Sequence, residues 1–402
     1  MVVRGVLDGA PFSLILRDQA LTVSLGERWV VACDRAGRLY SFWKDGHTWR
    51  RGLNGRVLHK WHDETGRRWD WPDESATGAL VNEAAALFDR LYDAVKFGDG
   101  RWTPPSNPME RVALLAALEL GARFSSEAAR ADARRFAQVY SPIGILPPDQ
   151  YLALVVQGTA GCSFDSCTFC DLYHERYRVK TALEFERHVE DVRAYLGPSV
   201  SLRGRSIFFG AANALAVPQP RLIEMFDILA RELDTTTRGI GAFVDAFTGT
   251  HKTTGDYQAL ARRGLRRVYV GLESGHDPLL EFVRKPGTSA EAIETVRAVK
   301  AAGVRVGLIL MIGLGGDRFA EGHVADTIAT INAMDLGAGD LIYCSDLVEI
   351  PDTAYPALAA SEGIRALTGE ERRAQRQAIR GGFRYSGPPP KISTYSVREF
   401  VY

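Results

Sequence analysis

The sequence is sparing with cysteine and methionine, five of each in 402 residues, and has no excess charge of either sign, 49 basic residues against 49 acidic. So few cysteines exclude a disulfide-stapled secreted scaffold and point to a reducing compartment. Balanced charge leaves no global electrostatic footprint for a nucleic-acid duplex or an anionic membrane. No apolar run approaches the roughly eighteen residues of a membrane helix. The N-terminal stretch MVVRGVLDGAPFSLILRDQ has neither the uninterrupted apolar core nor the small-residue cleavage site of a secretory signal. What remains is 46% hydrophobic and 24% charged, the balance of a globular, soluble chain. Its length implies two or three domains. The expectation is a cytoplasmic protein.

Four regions follow from the pattern. Residues 1–77 read as a small β-meander. Leu21 to Leu25 alternates, and Trp29–Cys33 and Arg38–Trp43 flank a turn at Asp34-Arg-Ala-Gly37, with a second turn at Asn54-Gly55. Six of the seven tryptophans fall here (Trp29, Trp43, Trp49, Trp61, Trp69 and Trp71). Aromatic bulk for a small sheet explains them more simply than a ligand platform does. Asp45-Gly-His47 superficially matches a D-x-H-x-x-G cobalamin signature, but Arg50 occupies the glycine position and no βαβ pattern surrounds it, so cobalamin is rejected. Residues 78–147 turn helical: Leu87, Phe88, Leu91, Tyr92 and Val95 recur at three- and four-residue spacing. Asn107, Pro108 and Glu110 mark a second helix start, an arginine-rich third helix spans Ser125–Tyr140, and Ser141–Pro148 reads as a linker.

From 148 to 348 strands and helices alternate. Strand-like segments lie at Tyr151–Gln157, Ser206–Phe209, Gly239–Val244, Arg267–Leu272, Gly303–Ile312 and Asp340–Val348. Helical ones lie at Thr181–Leu196, Gln219–Leu233, Thr254–Arg263, Thr288–Ala302 and Glu321–Asp335. Six strands alternating with helices predict an α/β fold, a parallel sheet curled into a partial (β/α)6 TIM-like barrel. Sites on such sheets gather at the carboxyl ends of the strands. Residues 349–402 form a C-terminal extension with a charged helical segment at Gly369–Arg380, free either to cap the barrel or to pack on the N-terminal region.

Just past the first of those strands comes Gly161-Cys-Ser-Phe-Asp-Ser-Cys-Thr-Phe-Cys170, with three of the five cysteines, Cys162, Cys167 and Cys170, in a C-x4-C-x2-C run. Three thiolates on one loop grip a soft metal centre and leave a coordination position open. His174 would complete a tetrahedral Cys3His zinc set, although zinc fingers usually split their ligands between two knuckles. The spacing and the strand-end position favour a [4Fe–4S] cluster, with zinc as the alternative.

This loop resembles the cluster loop of the radical S-adenosylmethionine (radical SAM) superfamily, in which an aromatic residue, here Phe169, precedes the third cysteine. The usual spacing there is C-x3-C-x2-C; the longer C-x4-C form resembles a branch related to the Elongator catalytic subunit, the methylthiotransferases and the oxygen-independent coproporphyrinogen oxidases. Ile207-Phe-Phe-Gly-Ala-Ala-Asn213, Val268-Tyr-Val-Gly-Leu-Glu-Ser-Gly275 and Gly307-Leu-Ile-Leu-Met-Ile-Gly313 carry the resemblance over residues 148–348. It implies that Cys162, Cys167 and Cys170 hold three irons of a [4Fe–4S] cluster and that S-adenosylmethionine chelates the fourth. One electron then cleaves the cofactor to a 5′-deoxyadenosyl radical, which removes hydrogen from a substrate. By the same resemblance the main chain at Phe169 lies against the adenine. Gly210, Ala211 and Asn213 occupy the place of a G-G-E motif without its acid. Glu273 takes the ribose or the methionyl end, where the plainer alternative is a cap on the next turn. Arg178 and Lys180 steady the cofactor carboxylate or the loop, with a plain surface role as the equal alternative, and Tyr173 and His174 face the substrate.

Cys33 and Cys344 each stand alone, so a second cluster and sulfur insertion are disfavoured. What remains is oxidation, rearrangement or hydrogen abstraction on a small molecule, with flavodoxin or ferredoxin as reductant. A tRNA- or peptide-directed member of the superfamily is the second reading, disfavoured by the zero net charge, and a zinc-stabilised, non-enzymatic α/β binding protein is the third.

Overall fold

The computed structural model describes residues 1–64, 66–97, 102–103, 105 and 107–402. The chain forms two compact units, one of residues 1–141, 191–205 and 399–402, the other of residues 142–190 and 206–398.

In the first unit eight strands pair antiparallel in sequence order: β1 (Val2–Leu7), β2 (Ala10–Leu16), β3 (Ala20–Leu25), β4 (Trp29–Asp34), β5 (Leu39–Lys44), β6 (His47–Arg51), β7 (Val57–Asp63) and β8 (Gly66–Asp70). Alternation sets the inner face, where Phe12, Leu14, Leu21, Val23, Val31 and Phe42 are buried. The turn after β4 is fixed by Asp34, whose Oδ1 accepts from the Ala36 and Arg38 amides. Asp45 (φ 50°) and Gly46 (φ 86°) join the paired residues Lys44 and His47. That is a two-residue hairpin loop with both positions left-handed, so Asp45-Gly-His47 is a turn. Helices α1 (Glu74–Phe97), α2 (Pro108–Ala122) and α3 (Ser126–Val139) lay Val81, Leu87, Phe88, Leu91, Leu114 and Leu118 on the same core.

The meander and the helical stretch, which read as separate regions, therefore share one hydrophobic core. An antiparallel sheet with one apolar face needs a cover, and the next amphipathic helices supply it. Trp49, His59 and Trp61 stack across β6 and β7 with ring centroids 4.6 and 4.5 Å apart. Rings so stacked cover one another's faces, as packing requires and a ligand platform would not. Asp132 of α3 accepts from Arg38 at 2.8 Å and faces Arg51 at 3.7 Å, all three buried. The C-terminal half of α4 (Ala182–Leu196), α5 (Val200–Arg203) and the last four residues complete this unit, with the Leu53 amide donating to the Tyr402 carbonyl at 2.6 Å.

In the second unit come β9 (Leu154–Gln157), the short pair β10 (Thr159–Ala160) and β11 (Arg178–Val179), then β12 (Ile207–Gly210), β13 (Ile240–Val244), β14 (Leu265–Glu273), β15 (Arg305–Ile312), β16 (Leu341–Asp346) and β17 (Lys391–Tyr395). Apart from the β10–β11 pair, they make a seven-stranded parallel sheet, order β17-β16-β15-β14-β13-β12-β9. Between the strands lie α6 (Gln219–Glu232), α7 (Thr235–Arg238), α8 (Ala246–Gly249), α9 (Thr254–Ala261), α10 (Asp277–Phe282), α11 (Ser289–Ala301), α12 (Gly316–Asn332), α13 (Ala354–Ser361) and α14 (Gly369–Gly381). β9 and β12 are buried at every position, as strands covered on both faces must be. The first and last strands in the order do not pair, so the barrel is partial.

Six of the seven strands are those the sequence predicts. The seventh comes from the tail: β17 pairs parallel with β16 from Leu341↔Lys391 to Ser345↔Tyr395. Its sequence KISTY lacks an apolar run because an edge strand has one neighbour and an exposed side. Among the described residues no helix is long and apolar enough to cross a membrane.

Candidate active site

Because the seven strands run one way, their carboxyl ends share an edge, and the loops leaving them build one cavity. The cysteine loop is held there from both ends. β10 and β11 pair at its base, and the Lys180 amide donates to the Gly158 carbonyl at 3.0 Å. Gly161 opens the loop at φ +68°, and a Cβ there would lie 2.2 Å from the Glu175 carbonyl, so only glycine fits. At the middle of the loop the Thr168 amide and hydroxyl both donate to the Val283 carbonyl, at 3.0 and 3.2 Å, and the Thr168 carbonyl accepts from the Tyr355 amide. Thr168 is buried between the cysteines at 167 and 170, so the thiols on either side of it are aimed by a fixed backbone.

The cavity, about 200 Å³, is walled by Ile145, Phe169, Leu172, Phe243, Ile309 and Met311 and reaches all three thiols. Into it project Glu273 and Lys285, with Nζ 3.6 Å from Oε1. Glu273 ends β14 in a left-handed conformation (φ 58°) behind a bulge in the β14–β15 ladder. Its Oε2 is buried with no hydrogen-bond partner. A non-glycine residue held left-handed and a buried acceptor left unpaired are both costly, and such features gather at functional sites. Burial pushes the Glu273 carboxyl up, an effect the adjacent ammonium partly offsets. For Lys285 burial works the other way, but the Glu273 carboxylate and the nearby Cys167 outweigh it and the pKa rises. Burial also raises Cys162 and Cys167, the latter to about 11, against the pull of Lys285. The Lys285 ammonium pulls both thiols down.

Asn213 and Asp245 form a lock at the neighbouring strand ends. The Asn213 side-chain nitrogen reaches Ser163 Oγ at 2.9 Å, Thr248 Oγ1 at 3.0 Å and the Asp245 carboxylate, and its oxygen accepts from the Asp245 amide at 3.0 Å. Asp245 in turn caps α8 through the Thr248 amide at 2.6 Å. This ties the cysteine loop, through Ser163, to the ends of β12 and β13.

Of the residues predicted from sequence, Cys162, Cys167, Cys170, Phe169, Asn213, Glu273 and Tyr173 line the cavity. Gly210 and Ala211 lie one step below it, with Tyr173 between the two spaces, and the Ala211 amide donates to Thr159 Oγ1 at 3.0 Å. Three are not brought in. Arg178 is exposed and pairs with Glu184 at 2.8 Å. Lys180 donates to the Gln157 carbonyl at 2.8 Å, and burial lowers its pKa to about 8. His174 is 82% exposed and pairs with Asp171. For each of the three a local partner satisfies the charge before it can reach the cavity. Sequence reasoning passed over Lys285, Asp245, Ser345 and Tyr395, which also line it. Asp245 stands immediately after a strand, as Glu273 ends one, and that position was the available signal. Lys285 had none beyond its place in a turn rich in cations. Among the described residues no three His, Cys, Asp or Glu side chains converge on a single-ion position.

Compared with known proteins, residues 156–328 match the radical SAM superfamily. A search of curated proteins finds no match. Similar solved structures include the cobalamin-dependent S-adenosylmethionine radical enzyme OxsB with aqua-cobalamin bound (15% identity, 57% of this chain, 31% of that one, TM-score 0.38). Others are the radical S-adenosylmethionine methyltransferase TsrM from Kitasatospora setae (16%, 57% and 45%, TM-score 0.43) and the coproporphyrinogen III oxidase HemN from Escherichia coli (12%, 60% and 53%, TM-score 0.41). The chain thus spans about a third to a half of the length of these proteins.

Proposed function

We propose, from the match of residues 156–328 to the radical SAM superfamily, that the chain is an enzyme that works with a [4Fe–4S] cluster and S-adenosylmethionine. From that premise we propose that Cys162, Cys167 and Cys170 hold the cluster, that Glu273 and Lys285 hold the S-adenosylmethionine beside it, and that the substrate is a small molecule. The observation that carries the reading is the meeting, in one cavity, of three thiols, a buried carboxylate oxygen without a partner and a nearly buried ammonium.

The residues fit these groups. A soft trio of thiols on one loop suits iron. The exposed His174–Asp171 pair also argues against the Cys3His zinc set. When bound, the cluster supplies one electron to cleave S-adenosylmethionine, and the resulting 5′-deoxyadenosyl radical takes a hydrogen atom from the substrate.

The chain's own part is binding and enclosure. The Lys285 ammonium meets the cofactor carboxylate in a charge-assisted hydrogen bond, and Glu273 Oε2 accepts from the cofactor ammonium or a ribose hydroxyl. The main chain at Phe169, on the cavity wall, would bind the adenine. Gly210, Ala211 and Asn213 hold that strand end, with the Asn213–Asp245 lock in place of the missing acid. Ile309, Met311 and Phe243 keep water from the reacting centre. Phe164 and Phe247, about 40% exposed and in edge contact, form an aromatic part of the rim where an apolar face of the substrate enters. An acidic reductant such as flavodoxin or ferredoxin and a cytoplasmic setting complete the reading; a tRNA or peptide substrate is the lesser one.

The test is anaerobic reconstitution followed by iron and sulfide analysis and an assay for 5′-deoxyadenosine with dithionite. About four irons and four sulfides per chain are expected, with 5′-deoxyadenosine formed, and both are lost in Cys167→Ala. One zinc with no sulfide would overturn the assignment.

A further inference from the structure

A second concave site lies away from the thiols, between α14 and the edge strand β17. It measures about 500 Å³ and is lined by Arg373, Arg376, Gln377, Arg380, Tyr385 and Ile392. Three of these are arginines and none is acidic. Arg373, Arg376 and Arg380 follow one another at three- and four-residue spacing, so they stand on one face of the helix and span two turns, about 10 Å along its axis.

The charges on this stretch fall into two sets. Arg365 pairs with Glu371 at 2.8 Å, and Arg372 and Arg376 share Asp346. Arg373 and Arg380 form no hydrogen bond or ion pair among the described residues, although Arg380 acts electrostatically on Tyr385. The Tyr385 hydroxyl is buried without a hydrogen-bond partner, and so is Arg376 Nε. A solvated helix face explains exposed arginines. It does not explain a phenol hydroxyl withdrawn from water, unbonded, in the same cleft as three guanidiniums.

We propose that this cleft binds the di- or triphosphate group of a small molecule. Guanidiniums and a phenol hydroxyl are donors, and Arg373, Arg380 and the Tyr385 hydroxyl make a set that Asp346, engaged by Arg372 and Arg376, does not fill. A single tetrahedral anion meets one donor over that span, whereas a chain of phosphoryl groups reaches both unpaired arginines, Arg373 and Arg380. Ile392 and the Tyr385 ring add an apolar wall suited to the organic part of a nucleotide. The volume falls in the range of small-molecule sites. This site does not rest on the thiol chemistry, so it stands or falls separately.

The experiment is isothermal titration calorimetry on the full chain at 0.15 M salt, with inorganic tripolyphosphate and with ADP as probes. One-to-one binding is expected for either probe, weakened at least tenfold in Arg373→Ala/Arg380→Ala and severalfold in Tyr385→Phe. Because both arginines are exposed and unpaired, the double variant keeps the fold, which its circular dichroism melt checks. No heat with either probe overturns the proposal, as does equal binding by the double variant. Competition by sulfate at equal concentration would reveal nonspecific ion pairing, and tighter binding of a single-stranded RNA would make the cleft a backbone groove. Either result also overturns it.

Discussion

The two units bury charge in opposite ways. In the first, Asp132 sits between Arg38 and Arg51, and Arg38 also donates to the Tyr195 carbonyl at 2.7 Å and to Ser199 Oγ at 3.0 Å, with the Tyr195 hydroxyl on Asp132 at 3.3 Å. Those carboxylate oxygens are occupied. In the second, Glu273 keeps one oxygen unbonded and faces an ammonium 3.6 Å away across a cavity. A buried charge that serves the fold is saturated by its neighbours. Glu273, which we propose serves a ligand, is left with capacity to bind, and the surrounding fold must bear the cost. The same contrast holds for cysteine: Cys33 is wholly buried in the first core, and burial pushes its pKa up, whereas the loop thiols are reachable.

The largest effect should come from breaking the network around the filled Asp132 carboxylate. Asp132→Asn leaves two buried guanidiniums facing a neutral amide and is expected to cost about 3 kcal/mol. All seven tryptophans lie within residues 1–141, so tryptophan fluorescence in a urea titration reports that unit by itself. Iron loading should be unchanged. A variant as stable as the parent would mean that the network is not closed in the sense drawn above.

In the second unit the corresponding lever is a histidine. His323 is buried, its Nδ1 2.6 Å from Ser274 Oγ, and burial lowers its pKa from 6.5 to about 4. On acidification the unfolded chain takes up the proton first. The contribution is therefore complete above about pH 6.5 and is lost as pH falls toward 4. Between pH 7 and pH 5 it amounts to about 2 kcal/mol. Far-ultraviolet circular dichroism should show that slope, and His323→Gln should flatten it. If tryptophan fluorescence showed an equal slope, the units would unfold as one, and the comparison would lose its thermodynamic meaning.

Much of this was legible in the sequence, for reasons that differ by element. The six predicted strands announce themselves because strands covered on both faces carry apolar stretches, as in β9 and β12. The cysteine loop does so because its spacing carries chemistry. The helix start at Asn107 was readable from its cap, and its side chain accepts an amide hydrogen there. β17 was hidden because an edge strand needs no apolar signature. The shared N-terminal core was hidden because pairing a sheet with helices leaves no mark in either pattern alone. Lys285 was hidden for a third reason. Its role depends on the left-handed turn at Glu273 and on a long-range meeting with the thiols, neither of which has a local code. Arg178 takes the surface alternative left open for it, because proximity in sequence to the loop is not proximity to the cavity.

The smallest effect separates these last two cases. Glu273→Gln keeps the size and the hydrogen-bonding oxygen but removes the charge, and Gln tolerates the same backbone. With cluster-loaded protein, equilibrium dialysis of S-adenosylmethionine should show about a tenfold weaker Kd, equivalent to about 1.4 kcal/mol. Arg178→Ala should leave the Kd unchanged, because its guanidinium is already paired with Glu184 at the surface. Equal affinities for Glu273→Gln and the parent would reduce Glu273 to a counter-ion for Lys285. The unbonded oxygen would then be a feature of the empty cavity rather than a contact to the cofactor.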